Sequence, residues 1–296
     1  MSTPMVNTPS ALVSLTYLAL LLAVLGLWIG RRFWIGALSI AVILGYVSKV
    51  LYGPAIVWIA ALTALCFGFV RAKNVASRSQ RIALVSLSAA GILVLSILLG
   101  MHALPGFHNF LALDRMVLSA GAEPFTLYLN FDKTLVGICI LGACHPLLRP
   151  GKFAGALAKA APIIPAHIVL VAAGACAIGY LTWQPKWTSL FWLWAAVNLF
   201  FVCLSEEAVF RGFIQRELGM ALRGTRAGTA IAVVVGAVLF GLAHFGGGLS
   251  YVLLATAAGL GYGIVYRRTQ SIEMAMLSHF ALNATHFLLF TYPRHL

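Results

Sequence analysis

The amino-acid sequence predicts an all-α protein, a polytopic transmembrane helix bundle of about ten spanning helices. Hydrophobic residues make up 61% of the 296 and charged residues 9%, with a mean hydropathy of +0.97, well outside the range of soluble domains. Ten apolar runs approach the ~20 residues that cross a bilayer. The Lys and Arg residues fall in the short breaks between those runs. The formal net charge of +13 therefore reads as a topology signal rather than as a nucleic-acid-binding face. The expected partner surface is the lipid bilayer, with no nucleic acid.

The runs lie at roughly residues 10–30, 33–52, 54–70, 82–104, 134–148, 162–182, 188–218, 226–245, 250–266 and 271–291. The first lacks the basic flank and small-residue cleavage site of a signal peptide, so it is expected to remain as a spanning helix. Alternate connections carry 15 of the 20 basic residues, among them Arg31, Arg71, Lys152, Arg211, Arg223 and Arg267. The other side receives Lys49, Arg115, Lys133, Lys186 and Arg294. This bias orients both termini outside the cytoplasm and fits a bacterial inner membrane.

The long connection 105–132 is broken by Pro105, Gly106 and Pro124 and is expected to hold an interfacial helix around Leu111 to Leu118. Its acids, Asp114, Glu123 and Asp132, read as solvated loop charges. The five cysteines match no zinc or haem spacing and read as buried thiols. Nothing resembles a linker or a repeat, so a single membrane domain is expected.

Three stretches of the last third of the chain place polar groups where hydrocarbon should be. Two of only seven acidic residues, Glu206 and Glu207, stand side by side, with Arg211 four residues on. Phe240 precedes His244 by four, and His279 precedes Asn283 by four. Residues four apart share one helix face, and Glu before Arg is the favoured order for an ion pair. Glu207 is therefore expected to hold Arg211, leaving Glu206, about 100° around the axis, free for other work. Phe240 supplies an apolar wall for the imidazole of His244.

Measured from the basic turns at ~1.5 Å per residue, Glu206, His244, His279 and Asn283 lie roughly 17–30 Å into their helices, so they can meet within the membrane. Ionised groups at that depth mark functional sites by default. A lone histidine such as His102 or His167 reads instead as interfacial or helix-bridging. His286, one turn beyond Asn283, extends the polar stripe.

The ordered set Glu206-Glu207-x-x-x-Arg211, Phe240-x-x-x-His244 and His279-x-x-x-Asn283 resembles the three-motif pattern of the CPBP family of intramembrane proteases, the CAAX protease and bacteriocin-processing (Abi) group. The resemblance covers roughly residues 190–291. It implies a protease core over 131–296 and accessory N-terminal helices over 1–130, which show no family feature. It also implies an intramembrane endopeptidase acting on a peptide or protein substrate in the membrane.

In that reading Glu206 is the general base on a water also held by His244. His279 and Asn283 donate to the oxyanion, and Glu207, Arg211 and Phe240 support them. Glu206, His244 and His279 could also ligate zinc. The lack of a His-Glu-x-x-His helix favours a glutamate mechanism with no metal or other cofactor. The competing class is a non-catalytic membrane protein, a transporter or an immunity factor, using the same buried cluster. No paired repeat supports a transporter.

Overall fold

The computed structural model describes residues 5–149 and 151–295. Every apolar run becomes helical. The helices are α1 Ala11–Gly26, α2 Arg31–Val47, α3 Gly53–Ala72, α4 Arg78–Gly100 and α5 Phe131–Cys144, followed by α6 Phe153–Ala160 and α7 Ile163–Ala177. The continuous helix α8 Phe191–Ala221 precedes α9 Gly228–Leu242, α10 Leu249–Thr269 and α11 Ile272–Leu289.

The expectation of about ten spans is corrected. Among the described residues four helices are long and apolar enough to cross a membrane, namely α3, α4, α8 and α10, or five if the bent pair α6 and α7 counts as one span. The reason is length, except in the 18-residue α11, where Glu273, His279, Asn283 and His286 interrupt the apolar run. The 16 residues of α1 and the 15 of α9 reach only about 24 and 22 Å, against ~30 Å of hydrocarbon. The pair α6 and α7 bends by 41° where Pro162 interrupts the helical hydrogen bonding. Half of the apolar window in α8 and in α10 is buried, against 22% in α3 and 17% in α4, so α8 and α10 form the bundle centre.

The 105–132 connection is a β-hairpin rather than an interfacial helix. Strand β1 (Met5–Val6), β2 (Phe110–Met116) and β3 (Phe125–Leu129) form one antiparallel sheet in the order β1-β2-β3. Alternation along 110–116 puts Leu111 and Leu113 opposite Tyr128 and Leu127, and Gly121 turns the chain at a φ of +67°, which glycine adopts without steric cost. The Tyr17 hydroxyl accepts from the Phe110 amide and donates to the Leu129 carbonyl, tying the hairpin to α1. Asp132 is not a solvated loop charge. It is 1% exposed, at the start of α5, and accepts from His102 Nδ1 at 2.8 Å and Asn109 Nδ2 at 3.0 Å.

The basic connections gather at one end of the bundle. Lys73 pairs with Glu217 at 2.7 Å, Arg216 reaches the Cys144 carbonyl, and Glu273 accepts from Trp28 and from the Leu148 amide. Arg211 is not among them, being fully buried. The opposite end carries the sheet and both described ends of the chain: Met5 pairs with Asp114, and His295 bridges Ala122. Four of the five cysteines are buried, while Cys176 is exposed on α7.

Candidate active site

Helix α8 is not uniformly α-helical. Asn198–Cys203 and Ala208–Gln215 are π-wound around a single α turn, Leu204–Glu207. Such segments, rare elsewhere, occur often at functional sites. The five-residue reach shows in the side chains, with Cys203 Sγ donating to Asn198 Oδ1 at 3.3 Å. The winding places Asn198 and Glu206 on the wall of the same cavity.

Glu207 is the hub behind that wall. It is fully buried and accepts from Arg211 Nη1 and from His279 Nδ1, each at 2.9 Å. The ion pair read from the four-residue spacing is therefore present, and it is extended by a histidine 72 positions away. Arg211 also donates through Nη2 to the Gly259 carbonyl at 2.8 Å. Its guanidinium lies 4.6 Å from the Phe240 ring centre and 5.2 Å from that of Tyr262, so two aromatic faces supplement the carboxylate in holding a desolvated cation.

His279 is fixed on three sides. Its Nδ1 meets Glu207, its ring stacks on Tyr262 at 4.5 Å and 16°, and Phe240 stands edge-on at 5.6 Å. That leaves Nε2, which lies 3.8 Å from Glu206 Oε2. His244 follows the end of α9, and its Nδ1 is 2.7 Å from the Phe240 carbonyl, so Nδ1 is the protonated nitrogen and Nε2 is free on the other edge of the ring. Phe240 contacts the His244 ring at 4.7 Å, the wall expected of it. Asn283 Nδ2 donates to Asn198 Oδ1 at 3.2 Å.

Glu206, His244, His279 and Asn283 all line one cavity of about 430 Å³, together with Asn198, Tyr262 and His286. The cavity opens toward the sheet end, where Glu123, Tyr180, Gly247, Tyr251 and Arg294 ring its mouth. Across that mouth Arg294 Nη2 donates to Glu123 Oε1 at 2.7 Å. The Arg294 guanidinium holds the Glu123 carboxyl below the usual carboxylate range. Glu123 is thus a paired rim residue rather than a solvated loop charge. Trp183, Trp187 and Trp192 stand exposed on the neighbouring segment, as side chains of a membrane–water interface do.

Glu206 is not free of protein partners. Lys133, from the first turn of α5, donates to its Oε1 at 2.6 Å. By sequence Lys133 reads as one of the topology charges, and no motif contains Asn198. A lysine opening an apolar run, and an amide eight residues before Glu206 in another, were the only signals.

Glu206, His244 and His279 could present a carboxylate and two imidazole Nε2 atoms to a metal ion, each Nδ1 being held by a carboxylate or a carbonyl, whereas the Lys133 ammonium on Glu206 opposes a dication there.

No curated protein and no solved structure matches the chain. The sequence model of one family, described as type II CAAX prenyl endopeptidase Rce1-like, matches residues 187–285. That is about a third of the chain, and it contains Glu206, His244, His279 and Asn283 with all but the last turn of the helices around them. Residues 187–285 are thus similar to the Rce1-like family, a match consistent with a CPBP-family intramembrane protease.

Proposed function

We propose that the chain is an intramembrane endopeptidase that hydrolyses a peptide bond of a membrane-associated substrate with a water activated by Glu206. The observation that carries this reading is the convergence of Glu206, His244, His279 and Asn283 on one cavity inside the matched residues 187–285. A carboxylate, an imidazole with a free Nε2 and two candidate hydrogen-bond donors are the parts such a hydrolysis needs.

Glu206 takes a proton from a water that also donates to His244 Nε2, and the water oxygen attacks the scissile carbonyl carbon. The carbonyl oxygen becomes an oxyanion that accepts from Asn283 Nδ2 and from His279 Nε2. The Asn198 contact aims the Asn283 amide. Because His279 Nδ1 is committed to Glu207, the imidazole donates through Nε2 when it carries both ring protons. Glu206 then returns its proton to the departing amide nitrogen as the C–N bond breaks. No metal takes part.

The basic connections lie at the end remote from the cavity mouth, and the positive-inside bias supports a mouth and chain ends outside the cytoplasm of a bacterial inner membrane. The Trp residues near the mouth hold it at headgroup level, where a lipid-proximal peptide would enter. Residues 1–130 act as an accessory region, and 131–296 as the protease core.

The family description makes a prenylated peptide ending in a CAAX-type sequence the first probe. Wild-type protein in nanodiscs is expected to cleave a quenched farnesylated peptide, or, failing that, a membrane peptide found by comparing membrane peptidomes of cells carrying wild type and Glu206→Gln. Cleavage should persist after exhaustive chelation and vanish in Glu206→Gln. Identical peptidomes would overturn the reading, and activity lost on chelation and restored only by zinc would overturn its metal-free form.

A further inference from the structure

The geometry points to Lys133, a residue outside the matched domain, as the positioning residue that keeps Glu206 ionised and aimed, so that the base depends on the region preceding that domain. This inference rests on the endopeptidase reading and adds to it a side chain that no motif contains.

The first support is distance. Lys133 Nζ lies 2.6 Å from Glu206 Oε1, while Oε2 is the oxygen directed to His279 Nε2. The two oxygens are thereby divided, one bound to the ammonium and one presented to the histidine. Lys133 does not itself line the cavity. It approaches Glu206 from behind, where it can orient the carboxylate without meeting substrate.

The second support is charge. The groups facing Glu206 are Lys133 on α5, Arg211 and Cys203 on its own helix, His244 after α9, Tyr251 on α10 and His279 on α11, with Glu207 next to it in the chain and Tyr262 stacked on His279. The fixed cations among them are Lys133 and Arg211, and the acids are Glu206 and Glu207. Arg211 is committed to Glu207. Without Lys133, Glu206 would be a carboxylate set among apolar helices with no cation of its own, and such a group takes up a proton instead of remaining charged. A protonated Glu206 cannot accept the proton of water.

The third support is how Lys133 is held. Asp132 immediately before it anchors the start of α5 to His102 and Asn109. Gly137, one turn after it, lets α5 lie against Leu204 and Ser205 next to Glu206. The lysine is thus fixed by residues from the first half of the chain.

The test reads the charge of Glu206 directly as well as its activity. Infrared spectra of the protein in nanodiscs at pH 7 are compared for wild type, Lys133→Met, Lys133→Arg and Glu206→Gln, the last assigning the Glu206 band. A carboxylate band is expected in wild type and in Lys133→Arg, and a protonated carboxyl band in Lys133→Met. Peptide cleavage should fall by roughly 10- to 100-fold and recover as pH rises, with Lys133→Arg close to wild type.

A Glu206 that stays ionised in Lys133→Met overturns the inference whatever the protease assay shows. Bands as expected with no cleavage by any variant, wild type included, count against the protease reading alone. If Lys133→Met does not fold, the double variant Lys133→Met/Glu206→Gln decides. Recovery of the fold supports an uncompensated Glu206 as the cause, and failure to recover assigns Lys133 a packing role and overturns the inference.

Discussion

Gly137 of α5 and Ser205 of α8 lie so close that a methyl group on the glycine would stand 2.9 Å from the Ser205 Cα and 3.0 Å from its Oγ. Both neighbours belong to packed helices that cannot yield cheaply. Gly137→Ala is expected to cost about 1–3 kcal/mol through overpacking and, by moving α5 away, to lengthen the Lys133–Glu206 contact. Unfolding in detergent and cleavage rate should both fall. An alanine variant with wild-type stability would mean that α5 and α8 separate without penalty.

Asn198 supplies the acceptor that orients the Asn283 amide. Asn283→Ala is expected to lower kcat by roughly 100- to 1000-fold with little change in KM, the loss typical of one oxyanion donor. Asn198→Leu should give a smaller loss in kcat, and Asn198→Asp, which keeps an acceptor at that point, should recover most of it. Steady-state kinetics on the same peptide separate the three. An Asn198→Leu enzyme with unchanged kcat would show that the Asn283 amide needs no guide.

The Glu123–Arg294 pair at the cavity mouth is more than a third exposed on both sides, so its contribution to stability is modest, no more than about 1 kcal/mol in a double-mutant cycle. Its pH dependence has a definite sign. The Glu123 carboxyl is depressed by the guanidinium, so the coupling is fully present above the ordinary carboxylate value of about 4.3 and disappears as pH falls through the lower, folded-state value. Coupling measured from neutral pH downward should stay flat to about pH 4 and then decline. A decline beginning near pH 6 would assign it to another group.

Much of the site was legible because its parts are local. The four-residue spacings of Glu207 with Arg211 and of Phe240 with His244 each describe one helical turn, and both contacts exist. What could not be read was set by tertiary approach. Lys133 meets Glu206 across 73 positions and Asn198 meets Asn283 across 85, and neither pairing leaves a periodic trace.

The number of crossings was overread because hydropathy marks an apolar run without marking where its helix ends. Helix α9 stops at Leu242, and His244 lies in the turn after it. The hairpin at 110–129 was missed because strand pairing with the N-terminal residues Met5 and Val6 is invisible along the chain. Asp132 was misread for a related reason, since its partner His102 lies 30 residues away.

The wide turns of α8 have a bearing on how this helix tolerates change. A π turn arises where a helix accommodates one residue beyond the regular repeat, so the stretch Asn198–Cys203 holds a position in reserve. Excision of a single residue there would let the segment rewind to the ordinary pitch without unfolding. Because the rewinding absorbs the missing residue, the helix on either side keeps its phase, and only the side chains within the wide turn, Asn198 among them, change direction relative to Glu206. One deletion, far gentler to the fold than loss of a core side chain, would thereby take the acceptor away from Asn283 while the carboxylate stays where it is.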